Sequence, residues 1–210
     1  MLSDLVRTWV AGWAVSRRTP RPAELPWGLY IEVGLPEQVG RHVLPDPDGP
    51  SIRAAAASVT VPHTWIKAPA DPDAVAPWLP RGWVVDREET GHLMATDLHP
   101  TTPAPLDGYT TTVETRDGVT YVRITDAAGE PAAQGQMALL GQATVVDRVT
   151  TDPAHRRRGL GRHVMQTLAG HAQARGATLA VLGATDAGRA LYETLGWKTH
   201  APLAACVYRP

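Results

Sequence analysis

The chain predicts an α/β protein in which a mixed sheet, largely antiparallel and in one place parallel, is packed with helices (an α+β mixed sheet). Three observations lead there. Its 210 residues are 43% hydrophobic and 20% charged, enough to bury a substantial core. Beyond residue 108, β-branched runs follow one another with short turns between them, as an antiparallel meander does. Further on, an apolar strand, a long amphipathic segment and a second apolar strand form a βαβ unit, whose crossover is almost always right-handed.

The chain opens on an apolar stretch, Met1 to Val15, with Leu2, Leu5, Trp9 and Trp13 at helical spacing. Asp4 and Arg7 interrupt it and Arg17-Arg18 follow, so it reads as an amphipathic helix rather than a secretion signal. No run approaches the roughly 20 apolar residues that cross a bilayer. Next come a strand near Leu29 to Val33, a helix at Ile52 to Ser58 and a strand around Trp83 to Asp86. Pro-rich stretches at Pro20 to Pro26, Pro45 to Pro50, Ala68 to Pro80 and His99 to Asp107 read as loops, because proline lacks the N–H that helices and central strands use. The last of them divides the chain into residues 1–104 and 105–210.

In the second half, Tyr109 to Thr115 and Val119 to Thr125 are joined by Arg116-Asp117-Gly118, a short hairpin loop. Strands follow at Ala132 to Leu140 and Ala143 to Val149. A helix from about Gly159 to Arg175 carries Val164, Leu168 and Ala172 on one face and stops at Gly176. Ala177 to Leu182 has the continuous apolar character of a buried parallel strand. A helix at Ala187 to Leu195 ends at Gly196, and Trp197 to His200 is expected to pair with Ala204 to Arg209 as a closing hairpin.

A net charge of -1 gives no overall field toward nucleic acid or an anionic membrane, so a charged ligand must meet a local patch. The lone cysteine, Cys206, excludes an internal disulfide and fits a reducing cytoplasm; it lies in an apolar run and reads as a buried thiol. No Cys or His spacing suggests a metal site. Phe and Asn are absent and Lys occurs only at Lys67 and Lys198, a bias of the kind a GC-rich bacterial genome imposes.

The strongest chemical signal is Arg156-Arg157-Arg158-Gly159-Leu160-Gly161-Arg162, between a strand and a helix. The glycines let the backbone turn tightly and approach a ligand, while the first-turn N–H groups, the helix dipole and flanking guanidinium groups suit a pyrophosphate. By itself the heptapeptide is equally a solvated basic loop or a phosphate contact to nucleic acid.

Together with Val145, Val149 and Pro153 before it, this Arg156-x-x-Gly159-x-Gly161 segment resembles the signature of the GNAT superfamily of acetyl-CoA-dependent N-acetyltransferases. Ala190-Leu191-Tyr192-Glu193-Thr194-Leu195-Gly196-Trp197 is similar to the ending of the same domain. The resemblance covers about Tyr109 to Arg209. It implies that the strand bearing Val149 splays from the strand bearing Val181 and that pantetheine inserts between them. Backbone groups of Val149, Thr150 and Thr151 would bind its amides, and the N–H groups of Arg157 to Arg162 its pyrophosphate. Tyr192 would sit near the sulfur, where a phenol can protonate the departing thiolate. Tyr192 is otherwise a packed helix residue.

Two features depart from the family. Asn is common seven residues before the tyrosine, where this chain has Thr185, beside Asp186; either can cap the helix. The usual pair of helices after the first strand is missing between Tyr109 and Thr125, so the first half is expected to cover that surface, as a degenerate second copy of the fold or as displaced elements of the first.

Acyl transfer by direct attack in a ternary complex needs a polarised carbonyl, for which the N–H near Val149 serves, and a proton acceptor for the amine. Asp147 is the first candidate, acting through water, because it shares a strand face with Val145 and Val149; the alternative is a surface charge paired with Arg148 or Arg123. Glu114 and His200 are further options. His63 and His92 have no assigned role, and Trp9, Trp13, Trp27, Trp65, Trp78 and Trp83 are expected chiefly as core. The function classes are an acetyltransferase acting on a small-molecule or peptide amine, a non-catalytic acyl-CoA-binding module, and a nucleic-acid binder, which the near-neutral charge argues against. No metal, nucleic acid or membrane is implied, and a monomer or homodimer is expected.

Overall fold

The computed structural model describes residues 1–210. In chain order the elements are α1 (Leu2–Arg17), β1 (Ala23–Leu25), β2 (Gly28–Leu35), β3 (Gln38–Val43), α2 (Gly49–Ala57), β4 (Thr64–Ala68), α3 (Pro72–Val75) with a 3-10 turn at Ala76–Trp78, β5 (Trp83–Val85) and β6 (Gly91–Asp97). The second half holds β7 (Tyr109–Arg116), β8 (Val119–Asp126), β9 (Pro131–Leu140), β10 (Ala143–Thr151), a 3-10 turn at Pro153–His155, α4 (Leu160–Gln173), β11 (Leu179–Ala184), α5 (Asp186–Glu193) and β12 (Lys198–Tyr208).

The meander forms as read. Arg116 pairs with Val119, and the two-residue loop between them, Asp117 (φ 51°) and Gly118 (φ 76°), has both residues left-handed, the geometry that suits the twist of a tight hairpin. Two of the proline-rich stretches read as loops instead start helices. Asp48 caps α2 by accepting from the Ser51 N–H at 2.8 Å, and Asp71 caps α3; a proline in the first turn of each gives up an N–H that has no helical partner there.

The sheet order is β1-β2-β3-β4-β12-β6-β11-β10-β9-β8-β7, with β5 also against β12. Each half contains an antiparallel pair, a crossover helix and a parallel strand: β2-β3-α2-β4 in the first, β9-β10-α4-β11 in the second. The halves also lend each other strands. β6, from the first half, lies between β11 and β12, while Ala204 to Val207 of β12 pair with β4 and Cys206 to Tyr208 with β5. The expected closing hairpin is therefore corrected: Lys198 to Tyr208 is one continuous strand. Its two segments were rightly extended, but their partners come from the other half of the chain.

Helix α1 packs across one face of the sheet. Val6, Trp9, Val10 and Trp13 pack with Val145 and Val181 of the second half and with Leu29, Ile31, Val43 and Leu93 of the first. Gly12 permits this approach, since a Cβ there would stand 2.3 Å from Val145 Cγ2. On the opposite face, Leu160, Val164, Leu168 and Ala172 of α4 join Val122, Ile124, Met137 and Val146 in the largest core cluster. Cys206 is fully buried, and burial pushes its thiol up to about 12, so it is inert packing.

Candidate active site

The parallel ladder between β10 and β11 stops early. Ala143, Thr144 and Val145 face Leu179, Ala180 and Val181, and no pairing follows, although β10 runs on to Thr151 against β9 and β11 to Ala184 against β6. The strands part, leaving Val146 to Thr151 facing Leu182 to Ala184 across an opening. The cause lies in β10: a bulge between Asp147 and Thr150, with Arg148 left-handed at φ 52°, bends the strand and raises its twist. Val149 and Thr150 are on that open edge.

The start of α4 stands beside this opening. Arg157 (φ 64°) and Gly159 (φ 80°) are both left-handed, and alternation of that kind turns successive N–H groups into one concavity. Asp48 and Thr185 cap α2 and α5, but no side chain caps α4 and no acid lies in its first turn. Arg156, Arg157, Arg158 and Arg162 are exposed and join no ion pair; Arg158 donates to the Tyr109 hydroxyl (3.0 Å) and Arg162 to Thr194 Oγ1 (3.1 Å). Leu160 is the buried anchor of the turn. A Cβ on Gly161 would lie 3.0 Å from Leu191 Cδ2 and 3.7 Å from Thr151 Oγ1, so this glycine keeps open the space between the end of β10 and α5. Uncapped donors and unpaired guanidinium groups on a bent strand end are the chemistry a diphosphate with a polar tail calls for.

Tyr192 projects from α5 into the core cluster beside Trp197, ring centroids 5.9 Å apart. Burial, reinforced by the negative charge of Asp147, pushes its phenol up to about 12, so it keeps its proton at neutral pH. Thr185, at the family's Asn position, accepts from the Gly188 N–H at 3.2 Å and is used as the helix cap.

Asp147 is paired differently from the expected partners. Its carboxylate is gripped by Arg17 through Nε and through Nη2 (2.9 Å to Oδ1), and Ser16 Oγ donates to it at 3.1 Å. Neither Arg148 nor Arg123 is its partner; Arg123 faces Glu114 at 3.8 Å. His200 lines a separate cavity with His99 and Lys198.

The sequence reading also missed several groups. Arg41 is buried over the Trp13 ring, 4.4 Å from its centroid, with Nε lacking any partner and Nη2 donating to Gln38. Burial, then the charge of Arg17, lowers its guanidinium to about 10. Lys67, lowered by burial to about 8, donates to the Glu89 carbonyl at 2.6 Å. His92 is 2.6 Å from Asp186 at the start of α5. None of these carries a local signal, since each lies in a short strand that matches no motif and its partners are distant in the chain.

The model of the Acetyltransferase (GNAT) family matches residues 87–197, just over half of the chain. The chain belongs to the GNAT acetyltransferase family. Its members are acyltransferases acting on acyl-CoA, and the family fold is the mixed sheet described above. A GCN5-related N-acetyltransferase from Kribbella flavida is similar in structure over 99% of this chain and 95% of its own, with a TM-score of 0.67 and 21% identity. One from Sphaerobacter thermophilus matches 70% of this chain and 61% of its own (TM-score 0.55, 13% identity). A tandem GNAT protein from the clavulanic acid biosynthesis pathway matches 77% and 68% (TM-score 0.56, 11% identity). At these identities the likeness is one of fold. No curated protein sequence matches. No helix is long and apolar enough to cross a membrane.

Proposed function

We propose that this GNAT chain is an N-acetyltransferase that moves an acetyl group from acetyl-CoA to an amine by direct attack in a ternary complex. One observation carries the reading: β10 and β11 part beyond Val145 and Val181 beside a helix start with no cap and no acid. Residues 105–210 supply the acetyl-CoA site and residues 1–104 the acceptor side, through α1, which packs against β10 and β11.

The co-substrate supplies an activated acyl thioester; the chain's residues position it and move protons. Backbone groups of Val149, Thr150 and Thr151, on the free edge of β10, bind amides of the pantetheine arm. The N–H groups of Arg157 to Arg162, with the side chains of Arg156, Arg157, Arg158 and Arg162, hold the diphosphate. The N–H near Val149 polarises the carbonyl. As the C–N bond forms and the C–S bond breaks, the Tyr192 phenol gives its proton to the sulfur and is reprotonated from solvent. The proton leaving the amine passes through water to Asp147, whose carboxylate is held in place by Arg17 and Ser16. The lone buried thiol fits a cytoplasmic setting.

Acetyl-CoA is expected to raise the melting temperature by binding the native state, and thiol release is expected with a suitable amine. Gly161→Val, which fills the space toward Thr151 and Leu191, should abolish the shift. An unchanged shift removes the loop from the cofactor site; a shift without thiol release across a broad amine panel leaves a binding module only.

A further inference from the structure

On the α1 side of the sheet, where α1 ends over β8, β9 and β10, an open cavity of about 310 Å³ is lined by Arg17, Arg18, Arg116, Arg123 and Arg148. Three carboxylates answer them: Asp147 to Arg17, Asp117 to Arg18 at 3.1 Å, and Glu114 to Arg123 at 3.8 Å. Five guanidinium groups against three carboxylates leave two positive charges in excess, on a chain whose net charge is -1. Arg116 and Arg148 are the unpaired two, Arg116 being only stacked on the Tyr121 ring at 5.1 Å. Gathering like charges within about 10 Å opposes folding unless a bound anion relieves it.

The backbone contributes as well. Arg148 occupies the bulge of β10 in a left-handed conformation that costs an L-residue about 1 kcal/mol or more, and from there it lines the cavity. The same bulge frees the neighbouring Val149 and Thr150 edge for the acyl donor. Thr150 pairs with Gln134, another lining residue, and Gln134 with Arg123. Arg148 thus stands on β10 itself, beside the edge where acyl transfer would occur, while the backbones of Arg123 and Arg116 are two and three strand spacings away, ~10 and ~14 Å, with long side chains to span the gap.

We propose that this cavity holds the anionic group of the acceptor, and that the acceptor is a small amine carrying a carboxylate or phosphate a short carbon chain away. The proposal rests on the acetyltransferase reading above and adds the substrate class. Guanidinium groups match the planar, forked acceptors of carboxylate and phosphate. A volume at the small end of ligand pockets suits a metabolite rather than a peptide segment. Polycationic acceptors are repelled by the same charges.

The test compares matched pairs in the acetyl-CoA thiol-release assay: β-alanine against β-alaninamide for the carboxylate, phosphoethanolamine against ethanolamine for the phosphate, with spermidine as the cationic control. The anionic member of at least one pair should be preferred about 10-fold or more in kcat/KM, as one or two charge-assisted hydrogen bonds provide. Arg116→Gln and Arg148→Gln should each raise its KM about 10-fold, with kcat and the acetyl-CoA-induced melting shift little changed. Binding is also read without turnover, as the melting shift that β-alanine or phosphoethanolamine produces under saturating CoA. A shift lost in the Arg116→Gln/Arg148→Gln variant supports the site even where no product forms, in which case acetyl transfer is what fails. Acetylation of spermidine or the neutral partners at equal or better rates, or a shift absent in the parent or unchanged in the variant, overturns the proposal while leaving acetyl transfer standing.

Discussion

The guanidinium of Arg17 and the carboxylate of Asp147, 130 residues apart, form a two-pronged ion pair that ties the last turn of α1 to the bulged strand β10. Ser16 adds a hydroxyl to the same carboxylate, and Gln136 on β9 donates to both the carbonyl and the hydroxyl of Ser16 at 2.8 Å. One polar network therefore sets the position of α1 and the shape of the strand that opens toward the acyl donor.

Removing one end of that pair should cost stability as well as rate. Asp147→Asn is expected to destabilise by about 1–2 kcal/mol, less than a fully buried pair because the pair is partly exposed. Arg17→Gln should behave similarly, and the double variant should lose less than the sum, since the two groups are coupled. Thermal denaturation measures this cycle. Asp147→Asn should also change the pH profile of kcat/KM; lowered stability with an unaltered profile would make Asp147 a positioning residue only.

Tyr192→Phe keeps the packing against Trp197 and removes the proton. Turnover should fall about 10²- to 10⁴-fold with acetyl-CoA affinity nearly intact. Because the phenol is pushed up to about 12, the parent should show no loss of rate from this group up to about pH 10. Equal turnover in both proteins would leave Tyr192 as core packing.

Acidification should weaken the first half through His42. Burial lowers this imidazole from 6.5 to about 4, and Trp27 Nε1 donates to its Nδ1 at 3.2 Å, a bond that needs the neutral ring. Between those values the unfolded chain binds the proton and the native state does not, so stability falls as pH drops from about 6.5 toward 4. The loss is up to about 3 kcal/mol. His42→Gln should flatten this part of the melting-temperature profile, and an unchanged slope would show that other groups dominate it.

What the sequence by itself determined was local. β-branched runs with Asp117-Gly118 between them specify a tight hairpin, helical spacing specifies α1 and α4, and Arg156 to Arg162 followed by Leu191-Tyr192 marks the family, because period, turn conformation and motif order are written in neighbouring residues. Where a strand finds its partner is not written there. Ala204 to Val207 has the same extended character whether it folds back on Trp197 to His200 or pairs with β4; only the assembly of both halves, which buries those residues fully, selects the second. The arginine cavity has the same origin: residues 17, 18, 116, 123 and 148 are ordinary charges along the chain, and they become one site because α1 packs across β9 and β10 and ends beside β8, seated by the absence of a Cβ on Gly12. A periodic pattern encodes which face of an element is buried, while the identity of what lies across that face is decided by the packing of the whole molecule.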